Sequence, residues 1–312
     1  MNGWIVAKTE NWDDYENRRF IGEAQTEGLD ISLWDPKDLD ICITERGQRG
    51  LSYQGQEISL PDFVLPRTGS GTIYYHLALI RHMECLGILV VNGSEAIARA
   101  RDKLHTIQLL VYNGLPTPKT TLAKFPLDLE FITEQFQFPV IIKTVVGSRG
   151  RGVLLCDNAD QTEDLMEMLE VSGREDVYYI IQEFVYGSKG QDLRVVVVGG
   201  RALGAMIRRA KGGNFKANIS RGGSGEPYEL NSQIEWLAIE ATKALGLDIG
   251  GVDILFDGEG YKLCEVNSAP AFEGFEKASG INVPQQIYQY AQVRLHGHGV
   301  VETPARQEEE GN

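Results

Sequence analysis

The sequence predicts an α/β (α+β) chain in two unlike parts. An N-terminal lobe with a doubly wound parallel sheet comes first, followed by a larger region built on antiparallel sheets. Three observations predict this. Across residues 1–98, short apolar strands alternate with helical patterns, as parallel sheets with crossover helices require. From residue 139 to 209, strand-like runs follow in close succession, two of them joined by Gly199-Gly200, which is an antiparallel pattern. Between these regions Asn113-Gly114, then Pro116 and Pro118, interrupt the chain.

Taken in order, Trp4–Ala7 is a short apolar strand, Tyr15–Glu27 a helix and Asp30–Trp34 another strand. A glycine-rich, hairpin-like region spans 41–60, and Phe63–Leu65 runs into Pro66-Arg67-Thr68-Gly69. Ile73, Leu77, Ile80 and Met83 recur at helical spacing, with Gly87 as a stop, and Leu89–Val91 is one more strand. Residues 99–113 are expected to form one helix ending at Asn113-Gly114. Beyond it, strands are expected at 139–146, 152–156, 177–185, 194–198 and 202–209, and helices at about 160–171 and 232–245. The tail, 299–312, is polar and is expected to be disordered.

Composition narrows the function classes. The 312 residues are 42% hydrophobic, enough for cores in two or three small lobes, and the net charge is −14. That charge argues against non-specific binding to nucleic acid or to an anionic membrane. Cys42, Cys85, Cys156 and Cys264 are widely spaced and are expected to be buried free thiols of a reducing compartment. No basic leader precedes a long apolar segment, so a soluble cytoplasmic protein is the expectation.

The most informative stretch is GVDILFDGEGYKLCEVN, residues 251–267. It is expected to form a hairpin with Gly258, Glu259 and Gly260 as a three-residue loop. Counting back from an Asp257–Tyr261 pair puts Asp253 opposite Glu265, with Asn267 on the same face. Opposed carboxylates repel. Either both are solvated on an exposed face, or a divalent cation such as magnesium resolves the conflict with hard oxygen ligands.

Upstream, PVIIKTVVGSRGRGVLLCD, residues 139–157, places a strand ending at Lys143 before a loop with Gly147, Gly150 and Gly152 and a second strand. A Walker loop or dinucleotide-binding turn needs a helix next, so neither fits. A flexible flap over phosphates fits, as does an ordinary mobile hairpin. In YYIIQEFV, residues 178–185, Gln182-Glu183 interrupts an apolar strand, consistent with an adenine slot or an edge strand. From Arg194 to Arg221 lie seven basic residues and no acidic one: Arg194, Arg201, Arg208, Arg209, Lys211, Lys216 and Arg221. Arg208 sits on an apolar strand, where a cleft-lining arginine needs an anion.

In this order the motifs resemble the ATP-grasp ligases, and among them the RimK-type α-L-glutamate ligases. The matching stretches are LPRTG (65–69), ARARDKLHTIQLL (98–110), the 139–153 flap, QEFV (182–185), QDLRVVVVGG (191–200), FKANISRGG (215–223), GVDIL (251–255) and EVNSAPAFEGFEK (265–277). The likeness covers most of residues 60–290. It implies a pre-ATP-grasp lobe over 1–98 and a two-lobed ATP-grasp domain over 99–298, with a lid subdomain at about 115–186.

By the resemblance, Lys103 and Lys143 hold ATP phosphates, with Ser148 and Gly150 in the phosphate flap. Glu183, Phe184 and Val185 form the adenine hinge, Asp192 lies near the ribose, and Lys216, Ala217 and Asn218 contact nucleotide. Asp253, Glu265 and Asn267 would bind two Mg2+ or Mn2+ ions, with Glu265 bridging. Arg208 and Arg221 would meet the substrate carboxylate or its acyl phosphate. The resemblance further implies ATP, glutamate and a carboxylate acceptor as partners, and a homo-oligomer, dimer or tetramer. Relatives that modify a ribosomal protein tend to continue Asn-Ala-Ser-Pro-Gly after the metal glutamate. Here Asn267 is followed by Ser268, Ala269, Pro270 and Ala271, which bears on the acceptor. A nucleotide-binding regulatory protein without ligase activity is the alternative, and an intact metal set argues against it.

Overall fold

The computed structural model describes residues 1–43, 49–69, 73–147, 152–171, 177–212, 215, 217 and 222–298. The N-terminal lobe holds a parallel sheet in the order Asp30–Trp34, Asn2–Val6, Phe63–Pro66, Leu89–Val90. Alternation along Asn2–Val6 explains its winding. Ile5 packs with Phe20 and Ala24 of helix Tyr15–Glu27 on one face. Trp4 and Val6 pack with Leu79, Ile80 and Met83 of helix Tyr74–Cys85 on the other. The region expected to be hairpin-like is a small antiparallel sheet of Asp40–Ile43, Arg49–Tyr53 and Gln56–Glu57.

The middle of the chain forms an antiparallel sheet in the order Val153–Cys156, Val140–Thr144, Tyr179–Glu183, Thr120–Leu122. Helices Leu129–Gln135 and Ala159–Val171 cover one side through Ile132 and Met166. A larger antiparallel sheet follows, in the order Ser224–Tyr228, Arg201–Arg209, Gln191–Val198, Ile249–Asp257, Gly260–Asn267.

The two faces of this larger sheet differ. Leu193, Val195, Val197, Ile207, Val252 and Ile254 face helix Ser232–Leu245, whose Ile234, Leu237, Ala238, Ala241 and Leu245 are buried against them. On the opposite face, Val196, Val198, Met206 and Ile249 pack under the N-terminal lobe and helix Val283–His298. Further along that same face stand Asp192, Arg194, Arg208, Asp253 and Glu265, in strand alternation with the first set. One face is therefore apolar where the N-terminal lobe covers it and charged where the middle antiparallel sheet lies against it.

Several sequence expectations need correction. Residues 99–113 are not one helix: Ser94–Arg101 ends and Lys103–Tyr112 begins at Asp102. Asp102 caps the second helix, its Oδ1 accepting from the His105 N–H at 2.9 Å, which favours a break over continuation. Cys42 and Cys85 are exposed; Cys156 is buried and Cys264 partly buried. Strands Thr120–Leu122 and Ser224–Tyr228 and helices Leu129–Gln135, Glu273–Ser279 and Val283–His298 were not anticipated. Residues 299–312 lie outside the described residues. Among the described residues no helix is long and apolar enough to cross a membrane.

Asn92 locks the lobes together. It is buried, its Nδ2 donates to Ile249 O at 2.8 Å and Ser268 O at 2.7 Å, and its Oδ1 accepts from the Ile249 N–H at 2.8 Å. The Asn92→Ala variant strands three backbone groups and is expected to lose about 2–3 kcal/mol of stability in denaturant unfolding. A loss below about 0.5 kcal/mol would show that Asn92 is not the tie between lobes.

Candidate functional site

The hairpin of Ile249–Asp257 and Gly260–Asn267 supplies the acidic side of the site, but not through the loop expected. Gly258, at φ +59, opens a two-residue loop with Glu259, so Asp257 pairs with Gly260 and Phe256 with Tyr261. The register then shifts between Asp253 and Ile254, where Cys264 is the extra residue of a bulge. The two departures cancel. Asp253 stands opposite Glu265, and Gly251 opposite Asn267.

Arginines reconcile the crowded charge around Asp253. Arg194 donates to it from Nε to Oδ1 at 2.5 Å and from NH2 to Oδ2 at 3.0 Å, and Arg208 NH2 reaches Oδ2 at 3.0 Å. Arg208 also forks onto Asp192, Nε to Oδ1 at 2.6 Å and NH2 to Oδ2 at 2.8 Å. Burial pushes the Asp253 carboxyl up, but the two guanidiniums outweigh it and hold it below the usual carboxylate range. Burial raises Asp192, and Arg208 offsets only part of the rise. Burial lowers Arg208, yet Asp253 and Asp192 reverse this and raise it overall.

Glu265 is more open. Its side chain is 26% exposed, and Lys103 Nζ lies 3.6 Å from Oε1. Lys103 is itself buried at the start of its helix, donating from Nζ to Gly147 O at 2.6 Å, which ties it to the root of the glycine loop. Lys143 lies on strand Val140–Thr144 of the middle sheet and is also buried. Among the described residues no carboxylate is within ion-pair distance of it. Asp192, Arg208, Asp253, Glu265, Lys103 and Lys143 line one cavity.

Part of the remaining wall is apolar, from Ile141, Val153, Phe184, Val185, Leu255 and the Cys264 side chain, and part is polar, from Thr144, Gln182, Glu183, Ser188 and Gln191. Burial pushes the Cys264 thiol up, with Lys143 opposing, so it stays protonated and is no activated nucleophile. Glu183 borders the cavity, but its carboxylate is taken: Lys262 Nζ donates to Oε1 at 2.5 Å and the Lys119 N–H to Oε2 at 2.9 Å. Its backbone N–H is also taken, donating to Lys119 O at 2.9 Å. Gln182 is likewise committed, donating to Thr120 Oγ1 at 2.7 Å.

The structure thus gathers Lys103, Lys143, Glu183, Phe184, Val185, Asp192, Arg208, Ala217, Asp253 and Glu265 around one cavity. Asn267 lies on the adjoining rung, donating from Nδ2 to Gly251 O at 3.3 Å. Ser148, Gly150, Lys216, Asn218 and Arg221 lie outside the described residues. Sequence reasoning did not assign Arg194 its hold on Asp253; the signal was a lone arginine in Leu-Arg-Val-Val-Val-Val. It also missed Ser188, whose Oγ accepts from the Phe256 N–H at 2.7 Å. Beside it, a Cβ on Gly187 would come 2.5 Å from Phe256 O, so only glycine lets the strand-to-strand connection approach the hairpin this closely.

The donor set suits a hard divalent cation. Two carboxylates and an amide oxygen on one hairpin face offer oxygen ligands only, and Glu265 has just one described cationic neighbour. A cation drawing on Asp253 shares that carboxylate with two arginines.

Comparison with known proteins agrees with this layout. A RimK-like ATP-grasp domain model matches residues 100–291, and a RimK PreATP-grasp domain model matches residues 1–97. A protein of Thioalkalivibrio sulfidiphilus named "Probable alpha-L-glutamate ligase" is 36% identical over 285 residues, 91% of this chain and 93% of that protein. Among solved structures, a RimK domain ATP-grasp protein from Sphaerobacter thermophilus superposes with a TM-score of 0.72 at 19% identity, covering 93% of this chain and 99% of its own. The ATP-grasp ligase PsnB, complexed with minimal precursor, gives a TM-score of 0.72 at 20% identity over 95% of this chain and 99% of its own. With two buried lysines, a charged hairpin face and both domain matches in register along its length, the chain belongs to the RimK-like ATP-grasp family.

Proposed function

We propose that this chain is an ATP-dependent carboxylate–amine ligase that adds L-glutamate to a carboxylate acceptor through an acyl phosphate. The observation that carries this reading is the meeting of two buried ammonium groups from different lobes. Lys103 and Lys143 face one cavity, and only Lys103 has a described carboxylate within 4 Å. Desolvated ammoniums call for anions, and a triphosphate supplies several. The name of the curated relative supports glutamate as the added amino acid.

Ile141, Val153, Phe184 and Leu255 offer an apolar slot for a base, with the Glu183–Val185 backbone at its edge. Lys103 and Lys143 then lie where the phosphates run towards Glu265. A divalent cation, Mg2+ or Mn2+, held by Glu265 and Asn267 with Asp253 would neutralise β- and γ-phosphate charge. Arg208 keeps Asp192 and Asp253 in place and lines the cavity. An oxygen of the substrate carboxylate attacks the γ-phosphorus and ADP leaves. The glutamate amine then attacks the acyl carbon and phosphate leaves with that oxygen. The chain's part is positioning and charge compensation. The acceptor, a protein C-terminus or a small molecule or peptide, enters beside Ser268–Ala271.

The Glu265→Ala variant is expected to lose turnover, read as ADP release, while its melting temperature stays within a few degrees of the parent, since Glu265 is partly exposed and not packed into the core. Near-normal ADP release would remove Glu265 from the cation site. Lys143→Met is expected to weaken binding of a fluorescent ATP analogue on the order of 10- to 100-fold. It should not lower the melting temperature of the nucleotide-free protein, because no described carboxylate loses a partner. Unchanged affinity would separate Lys143 from the nucleotide.

A further inference from the structure

Arg67 follows the parallel strand Phe63–Pro66 at its C-terminal end, the edge of an open α/β sheet where ligands bind. It is half-buried in the seam between the N-terminal lobe and the loop that follows Asn267. Its guanidinium lies beside a T-shaped ring pair, 5.5 Å from the Phe20 centroid and 5.7 Å from that of Phe272, the two centroids being 5.5 Å apart, and Nη2 donates to Pro270 O at 3.1 Å. The loop it touches is close to the chemistry. A Cβ on Gly251, the residue opposite Asn267, would meet Pro270 Cβ at 2.6 Å and Arg194 NH1 at 3.1 Å.

Arg67 differs from the interior arginines that are held by carboxylates, and shares with Arg101, whose Nε is buried without a partner, the lack of a described ion pair. Arg194 and Arg208 pair with Asp253 and Asp192, Arg19 with Glu276, and Arg294 with Asp248. Among the described residues no carboxylate is within 4 Å of Arg67. Glu16 is near enough to act on it through space, but its Oε1 accepts from the Phe272 N–H at 2.9 Å and the Glu273 N–H at 3.2 Å. Burial pushes the Arg67 pKa down, and Glu16 and Asp14 only oppose it. A guanidinium that rests against two rings and has one described hydrogen bond, to Pro270 O, keeps further donors for a planar anion.

We propose that Arg67 is a specificity-determining residue that binds a non-reacting carboxylate of a substrate, beside the loop Ser268–Ala271. The inference rests on the ligase reading, because it requires a substrate with a carboxylate besides the one activated. Two sources share this chemistry: the incoming glutamate, through its α- or γ-carboxylate, and a side chain of an acidic acceptor peptide. The test is binding, so it does not depend on turnover. Dissociation constants are measured by calorimetry with a non-hydrolysable ATP analogue and magnesium. The ligands are glutamate, glutamine and isoglutamine, and a peptide ending in Glu-Glu against the same peptide ending in Gln-Glu.

The parent is expected to prefer one acid over its amide counterpart on the order of 10- to 100-fold. Arg67→Met is expected to abolish that preference while leaving the affinity for the ATP analogue unchanged, and Arg67→Lys to retain part of it. The ligand pair that shows the effect identifies the source. No preference in the parent, or a preference surviving in both variants, overturns the proposal and leaves Arg67 as a clamp on Pro270. A failure of the ligase reading is seen separately, as absence of ADP release by the parent with glutamate and acceptors.

Discussion

Two aspartates and two arginines packed side by side on one sheet face govern this structure. Asp192, Arg208, Asp253 and Arg194 carry two formal charges of each sign, and every carboxylate oxygen among them accepts from a guanidinium. Burial of any one alone would cost several kcal/mol; loss of Arg208 strands Asp192, and loss of Asp253 strands Arg194. The consequence is electrostatic. With these four balanced and Glu265 beside Lys103, Lys143 is the charge in the cavity without a near counterion among the described residues. The cavity's spare charge is positive, in a chain whose net charge is −14.

The same constraint explains how the lobes are arranged. A sheet face that is apolar at one end and charged at the other cannot be covered by one kind of surface. The N-terminal lobe and helix Val283–His298 bring Phe20, Phe63 and Tyr288 to the apolar end, and Phe272, before helix Glu273–Ser279, joins them. The middle sheet brings Lys143 and an apolar wall to the charged end, leaving a cleft. Asn92 crosses the boundary with hydrogen bonds to Ile249 and Ser268, so the loop after Asn267 is held from the lobe opposite the hairpin.

Much of this was legible in the sequence because it rests on period and spacing. Alternation placed Asp253 opposite Glu265, and helix Ser232–Leu245 was visible as an apolar stripe closed by glycine. The loop was wrong by one residue, and a bulge at Cys264 restored the pairing; a bulge in an apolar strand leaves no mark in composition. Strand Ser224–Tyr228 was hidden because it is polar, contains Pro227 and lies at a sheet edge, where pairing rather than side-chain pattern defines it. Helix Val283–His298 shows only a narrow stripe of Ile287, Tyr288 and Ala291. The break at Asp102 depends on a side-chain cap that competes with an equally plausible continuous helix. Arg194 and Arg208 were visible as charges on apolar strands, but their partners lie on other strands, 59 and 16 residues away in sequence.

The central claim is that this cavity brings a substrate carboxylate against the terminal phosphate of ATP. The most direct measurement follows oxygen. An acceptor labelled with 18O in its reacting carboxylate is incubated with ATP, glutamate and the enzyme, and the released phosphate is analysed by mass spectrometry. The account expects one labelled oxygen in each phosphate formed, together with an acceptor extended by one glutamyl residue. Unlabelled phosphate, or ADP release without extension of the acceptor, would contradict it.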